Sequence, residues 1–266
     1  MKARYKYRFY PTDRQRVSLA QLFGCVRVAW NDALASSKSD KYPGYKALSK
    51  ALTQSKKTEE RRWLNDVSSV PLQQSLKQLD AAFKNFFNSL KGKRKGKKVG
   101  QTRFKKKTNR QAATFTKTAF SIKGDVVYLA KIGDFKPIWS RKLPASPSSV
   151  TVIKDCANRY FLSFVVEIEP TNIEAKNPSI GIDLGLKTFA VMSDGTQAES
   201  PDYSKPDRRI RKLQRKLARQ QKGSKRRNKT RLRMAKLHNQ IADTRSDFLP
   251  TFRTSNCSTP SSTRRG

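Results

Sequence analysis

Acidic residues, histidine and paired cysteines are scarce in this sequence. Its 266 residues contain 58 Lys+Arg but only 20 Asp+Glu, which gives a formal net charge of +38. His238 is the single histidine, and the three cysteines, Cys25, Cys156 and Cys257, are scattered without a CxxC pair. This composition excludes a Cys/His zinc site with the usual ligand spacing, and it favours a reducing compartment.

Long apolar runs are absent as well. No run approaches the roughly 20 apolar residues of a membrane-spanning helix, and the N-terminal stretch "MKARYKYRFYPT" lacks the apolar core of a signal peptide. We therefore expect an intracellular protein. The high positive charge predicts a polyanionic partner, with nucleic acid as the first candidate and a membrane surface as the second.

The positive charge is concentrated in two segments. Lys91 to Arg110 contains eleven Lys/Arg and no acid, and Lys205 to Lys236 contains sixteen Lys/Arg and one acid, Asp207. The first segment is a loop or linker, and its dense, unbalanced charge leads us to interpret it as phosphate-binding, with a solvated tether as the alternative. The second is a predicted helical hairpin, and a solvated helix usually mixes both signs to form pairs four residues apart, so we interpret it as phosphate-binding as well. For each residue alone, the alternative is a cation that only contacts solvent. The candidate contacts are Lys93, Arg94, Lys97, Arg103, Lys105 and Lys106 in the first segment, and Arg215, Arg219, Arg226, Arg227 and Arg231 in the second.

Hydrophobic periodicity predicts a mixed fold. Tyr5, Tyr7 and Phe9 alternate with basic residues, which is typical of a half-buried strand. Apolar residues three and four apart then predict a helical bundle, whose clearest helix begins at Pro71. Several short alternating runs after residue 110 indicate a small β-barrel, which the first strand joins.

An aspartate lies within the apolar stretch "SIGIDLGLKTFAVMSDG", residues 179–195. Strand alternation places Ile180, Ile182 and Leu184 on a core face, and Asp183 on the opposite face between two glycines. The glycines would leave an open patch beside the carboxylate, and Asp194-Gly195 predicts a hairpin turn. RNase H-like nucleases present their first metal-binding acid in this way, and two Mg²⁺ ions would then activate water. A solvated or salt-bridged aspartate near a strand end is the alternative.

Several motifs together resemble the TnpB family, also called OrfB, of transposon-encoded relatives of type V CRISPR effectors. "IGIDLGLKTFAVMSDG" is similar to the family's first RuvC motif. The other similar stretches, in the family's order, are "YKYRFYPTDRQRVSLAQLFGCVRVAWN", "VPLQQSLKQLDAAFKNFF", "RFKKK" and "RRIRKLQRKLARQQKGSKRRNKTRLRMAKLH". The resemblance implies an RNA-guided DNA endonuclease, described in older usage as a probable transposase, in which Asp183 is a catalytic residue and a Mg²⁺ ligand. It also implies guide RNA and DNA as partners, no membrane or small-molecule substrate, and a prokaryotic, cytoplasmic and nucleoid-associated location, with the oligomeric state open.

The expected fold class is therefore α+β and multidomain: a small β-barrel with an inserted helical bundle, then a partial RNase H-like (RuvC) domain with a basic helical hairpin. The expected segments are a first wedge-domain strand (1–10), the helical bundle (11–90), a basic linker (91–110), the rest of the barrel (111–177), the partial RuvC domain (178–249) and a disordered tail (250–266).

The sequence also departs from the family pattern. The second RuvC acid (a Glu), the third (an Asp) and the four-cysteine zinc ribbon have no counterparts, since Asp243 and Asp247 fall on a predicted helix. We therefore expect a truncated copy that binds RNA or DNA without cleaving, because one carboxylate cannot hold two Mg²⁺ ions, and we expect no zinc. Two alternatives are an active metal-dependent endonuclease and a non-enzymatic protein that coats RNA or DNA.

Overall fold

The chain forms two compact units, Met1–Pro170 and Thr171–Gly266. The structure is a computed structural model, which describes residues 1–39, 42–169, 181–185 and 188–257, and only the backbone at Ser39 and at 250–257. The five helices and three antiparallel sheets of the described residues make a mixed α and β fold. No helix within these ranges is both long enough and apolar enough to cross a membrane.

The first unit begins and ends with strands of one sheet. Its elements are β1 (Lys2–Phe9), α1 (Asp13–Ser39), α2 (Gly44–Ser55), α3 (Ser69–Leu90), β2 (Gln111–Thr116), β3 (Phe120–Lys123), β4 (Val126–Leu129), β5 (Gly133–Phe135), β6 (Pro137–Ile138), β7 (Ser149–Lys154) and β8 (Tyr160–Glu167). The five-stranded sheet has the order β2-β7-β8-β1-β6, and β1 pairs along its whole length with β8. The three helices are thus inserted between two strands of the same sheet.

One face of this sheet forms the main core. Tyr7 and Phe9 of β1 are each 1% exposed, so these aromatic rings pack inside the protein and are not available for base stacking. The ring of Tyr7 lies 5.8 Å from Phe164 of β8, and the ring of Phe9 lies 5.1 Å from Phe135 of β5. The alternation predicted from the sequence therefore marks the buried face of β1 correctly.

The expected closed barrel differs from the arrangement of the described strands. β3, β4 and β5 pair only with one another and form a separate three-stranded sheet. A 3₁₀ turn at Lys117–Ala119 takes the chain away from the first sheet directly after β2. Backbone pairing among the described strands therefore does not close into a ring, although both sheets contribute side chains to one core.

The helices are built around their own apolar faces. A second buried cluster joins Trp30 and Leu34 of α1 to Leu76, Leu79 and Phe83 of α3. Pro71 lies in the first turn of α3, where its missing N–H costs no helical hydrogen bond. The helix ends at Leu90 and is followed by Gly92 at a φ of 68°, a conformation that suits glycine.

The second unit consists of a small sheet followed by two helices. Its elements are β9 (Ile182–Asp183), β10 (Thr188–Met192), β11 (Gln197–Glu199), α4 (Ser204–Ala218) and α5 (Lys225–Cys257). The three strands are antiparallel in the order β11-β10-β9. The predicted hairpin turn at Asp194-Gly195 is present: Gly195 has a φ of 86°, and its N–H donates to the Met192 carbonyl at 2.9 Å.

The helix α5 extends further than the sequence predicts. It runs through Pro250 to Cys257, within the range for which we expected disorder. The apolar residues lose their helical spacing after Leu249, which led us to expect the helix to end there, but the backbone helix continues to Cys257. Residues 258–266 of the expected tail lie outside the described residues.

Candidate nucleic-acid interface

The helices α4 and α5 form a basic hairpin, which we define as residues 205–236. Ile210 of α4 and Ile241 of α5 are buried between the helices, with Leu213 and Leu217 half-buried on the same stripe of α4. Gly223, at a φ of 87°, lies in the turn between them. The apolar stripe fixes which side of each helix faces the other, so the basic side chains point away from the contact.

Nearly all the charge of the basic hairpin is accessible. Each of its sixteen Lys and Arg residues except Arg227 is exposed. Among the predicted contacts, Arg215, Arg219, Arg226 and Arg231 all belong to this exposed set. Arg215 and Arg219 also line a shallow groove with Lys212 and Lys216 on α4.

Arg227 has a different position from the other predicted contacts. It is half-buried in the first turn of α5, where its Nη1 group donates to the carbonyls of Leu217 and of Gln220, the latter at 2.8 Å. Its backbone N–H donates to the Ser224 hydroxyl oxygen at 3.1 Å. These carbonyls end α4, where a cation is favourable for the helix dipole. This guanidinium therefore closes the hairpin, a role that the sequence interpretation did not assign to it.

The basic linker, residues 91–110, has no helix or strand but is fastened to the helical bundle. The indole N–H of Trp30 donates to the Arg103 carbonyl at 3.2 Å. The amide of Asn31 holds the backbone of Lys105 on both sides: Nδ2 donates to its carbonyl at 3.1 Å and Oδ1 accepts from its N–H at 2.8 Å. We call these contacts the Trp30–Asn31 clasp. No pattern in the sequence predicts this clasp, because both residues lie on a helix whose periodicity indicates only a packed face.

The predicted linker contacts are mostly exposed, with one exception. Lys93, Arg94, Lys97, Arg103 and Lys106 have exposed side chains. The Nζ of Lys105 instead lies 3.7 Å from the centre of the Trp30 ring, and burial lowers the pKa of this amine to about 8. Lys105 therefore helps to attach the linker, and it is a poorer phosphate contact than its neighbours.

The structure places Asp183 on the exposed face of the small sheet. It pairs with Val191 of β10, which in turn pairs with Gln197 of β11, so the three side chains share one face. The opposite face was expected to be core, and on β10 it is: Met192, the pair of Ile182, is 4% exposed. Ile182 is 49% and Leu184 is 68% exposed, so the prediction is wrong for these two residues. Among the described strands, β9 is at the edge of the sheet and pairs only with β10. Ile180 lies outside the described residues.

The glycines beside Asp183 have unequal roles. A Cβ on Gly185 would lie 2.9 Å from the Thr188 carbonyl oxygen, so the close approach of the backbone requires glycine there. A Cβ on Gly181 would meet the Ser193 Cβ at 3.6 Å, an ordinary contact. The sequence interpretation gave both glycines the same purpose, an open patch beside the carboxylate.

Asp183 is the kind of oxygen donor that Mg²⁺ binds, but a metal site needs more than one such ligand. Within the described ranges no group of three His, Cys, Asp or Glu side chains is assembled. Asp194 and Asp202 instead serve local turns, where hydrogen bonds from Thr196 and Ser204 respectively lower the pKa of each carboxyl. The described residues thus do not form a metal site of three or more such side chains.

Comparison with known proteins identifies the family. Residues 163–255 match the OrfB_IS605 family, described as "Probable transposase", and residues 1–42 match its helix-turn-helix domain family. A relative in Streptomyces pristinaespiralis, named "Putative RNA-guided DNA endonuclease", is 40% identical over 259 residues, which cover 94% of this chain. The chain belongs to the OrfB family of IS605. The resemblance of the motif around Asp183 and of four other stretches in the family's order predicted this family, and that prediction is confirmed.

Other OrfB relatives agree. InsQ of Escherichia coli K12, with the same description, is 30% identical over 253 residues, and protein MT2953 of Mycobacterium tuberculosis is 25% identical over 281 residues. Each alignment covers 92% of this OrfB chain. The chain spans 62% of the Streptomyces relative and 61% of the other two.

Proposed function

We propose that this OrfB chain binds RNA and DNA, and that its basic hairpin and basic linker contact the phosphates. The observation that carries the proposal is the exposure of every Lys and Arg between residues 205 and 236 except Arg227. So many cations of one sign repel one another unless a polyanion neutralises them. The names of the relatives favour guide RNA and DNA as the two partners.

This proposal predicts strongly salt-dependent binding. If about ten phosphates are neutralised, log K falls against log salt with a slope of roughly −9 on duplex DNA. Fluorescence anisotropy with labelled RNA and DNA across a salt series measures this slope. A slope near zero would contradict the proposal. A clear preference for RNA transcribed from the chain's own transposon would separate a guide-binding protein from one that coats any RNA or DNA.

We further propose that the two sheets of the first unit form the family's wedge domain, although their described strands do not close into a barrel. The helices α1 to α3 would be an insertion between the first two strands of that domain. The second unit would then be part of a RuvC domain. Three antiparallel strands with an exposed aspartate on one of them, followed by a basic hairpin, support this assignment. We propose a prokaryotic, cytoplasmic and nucleoid-associated location, because the relatives belong to bacteria and the proposed partner is DNA.

Cleavage of DNA is the second candidate, and the names of the relatives favour it. Asp183 would hold Mg²⁺, which supplies charge neutralisation and an activated water in phosphodiester hydrolysis. The described residues assemble no group of three His, Cys, Asp or Glu side chains that could hold a metal ion, so we propose binding without cleavage as the function of this chain. Incubation with guide RNA, target DNA and Mg²⁺ tests this choice. Cleavage that disappears in Asp183→Ala would show that the chain is a nuclease.

A further inference from the structure

Phe104 is an exposed aromatic ring in the middle of the basic linker. Its side chain is 45% exposed, whereas Trp30, which packs beneath the linker, is 8% exposed. Among the residues that the structure describes, Lys38 of α1 contacts the ring of Phe104, with its Nζ 4.8 Å from the ring centre. One cation covers one part of a ring face, so much of the ring is open to a ligand. A single exposed aromatic residue is common, and a binding role therefore needs further support.

The backbone on both sides of Phe104 is held in place. The Trp30–Asn31 clasp fixes Arg103 through its carbonyl and Lys105 through both its N–H and its carbonyl. Further along, the Gln111 amide donates to the carbonyls of Lys106, Lys107 and Asn109 at distances between 2.7 and 3.3 Å. Phe104 is thus presented at a fixed position, and binding a ligand there does not require the linker to become ordered first.

The charged residues next to Phe104 in the linker are all basic. Arg103, Lys106 and Lys107 are exposed beside it, Lys38 lies over it, and the linker contains no acid. An open ring among exposed cations on a held backbone matches the chemistry of single-stranded nucleic acids, in which a base stacks and the neighbouring phosphates need counter-charge. A duplex does not match, because its bases are already stacked on one another.

We propose that Phe104 stacks on an unpaired base of a bound single strand, while Arg103, Lys106 and Lys38 contact the adjacent phosphates. This site rests on the proposed nucleic-acid binding and adds to it a preference for single-stranded segments. Asn31 and Trp30 act as positioning residues, because they touch the linker backbone and not the strand.

The test compares Phe104→Leu with the wild-type chain by fluorescence anisotropy. The probes are a labelled RNA strand of about 12 nucleotides, within the usual site size, and the same strand annealed to its complement. Loss of one base stack is expected to weaken binding to the single strand by about 5- to 100-fold. Affinity for the duplex is expected to stay within about twofold, since no base is available to the ring. Phe104→Tyr, which keeps a ring, is expected to bind like the wild type.

Tyr128 provides a matched control. It lies on β4, is 44% exposed, and is remote in sequence from the linker, so Tyr128→Leu is expected to leave both affinities unchanged. Ultraviolet crosslinking of the labelled strand, located by mass spectrometry, is expected to modify the peptide that contains Phe104. Normal binding of both probes by Phe104→Leu, or equal losses on the two probes, would overturn the stacking site alone. Failure of the wild-type chain to bind either probe would overturn the proposed function as well.

Discussion

Replacing Asn31 with alanine tests whether the basic linker is held against the helical bundle. The amide of Asn31 makes two hydrogen bonds with the Lys105 backbone, at 2.8 and 3.1 Å. Each hydrogen bond contributes about 0.5–1.5 kcal/mol, so their loss is expected to lower the free energy of local opening by about 1–3 kcal/mol. The opened population of the linker then rises by about 5- to 150-fold.

Limited digestion with trypsin measures this opening, because the linker contains Arg103 and Lys105 to Lys107 as cleavage sites. When the linker opens and closes rapidly, the rate of cleavage follows the opened population. Mass spectrometry would distinguish these cuts from those at Lys91 to Lys98, which lie before the clasp and serve as an internal reference. Asn109→Ala is a control within the linker, since the backbone of Asn109 makes hydrogen bonds that do not depend on its side chain. An unchanged rate of cleavage after Arg103 to Lys107 in Asn31→Ala would refute the clasp.

Three further predictions concern other parts of the chain. Arg227→Ala is expected to lower the free energy of unfolding of the basic hairpin by roughly 1.5–3 kcal/mol, because it leaves the Leu217 and Gln220 carbonyls without their charged donor; thermal melting followed by circular dichroism would show it, and an equal effect of Arg226→Ala would count against it. Gly185→Ala is expected to destabilise the small sheet by roughly 1–3 kcal/mol, because its Cβ would meet the Thr188 carbonyl oxygen at 2.9 Å, whereas Gly181→Ala is expected to be tolerated; equal melting temperatures for the two variants would contradict this. Burial lowers the pKa of Lys105 from 10.5 to about 8, so the unfolded chain binds more protons between these values and stability is expected to rise with pH from 8 to 10; Lys105→Met should lose this rise in a melting series, and an identical pH profile would exclude the assignment.

Local patterns in the sequence predicted the elements that depend on a single chain segment. The i, i+3 and i+4 spacing of Leu72, Leu76 and Leu79 predicted α3, because a helix buries whatever repeats along one face. The Asp194-Gly195 pair predicted the hairpin, because the turn needs a residue with positive φ. The charge of residues 205–236 predicted that their side chains are exposed, because removing that many unpaired cations from water is too costly.

Features that depend on long-range packing were not accessible in this way. The alternation around Asp183 predicted that Ile182 is buried. Burial depends on other elements packing over that face of the sheet, and they bury Met192 but not its pair Ile182, which the pattern cannot show. Lys105 and Arg227 look like their basic neighbours in the sequence. Only the position of Trp30, and the carbonyls at the end of α4, give them structural roles. The separate sheet of β3 to β5 likewise depends on the turn at Lys117–Ala119, which changes strand partners without changing the alternation.

The salt dependence of binding by a hairpin variant shows whether the basic hairpin contacts phosphates. Arg215 and Arg219 line the same groove and are exposed. Changing both to glutamine therefore removes two proposed phosphate contacts without disturbing buried packing. On duplex DNA, the slope of log K against log salt is expected to become less negative by about 1.8, or about 0.9 for each contact. Lys46 and Lys50 on the exposed side of α2, changed together to glutamine, are expected to leave the slope unaltered. Equal slopes for the wild type and the hairpin variant would contradict the claim that the basic hairpin binds nucleic acid.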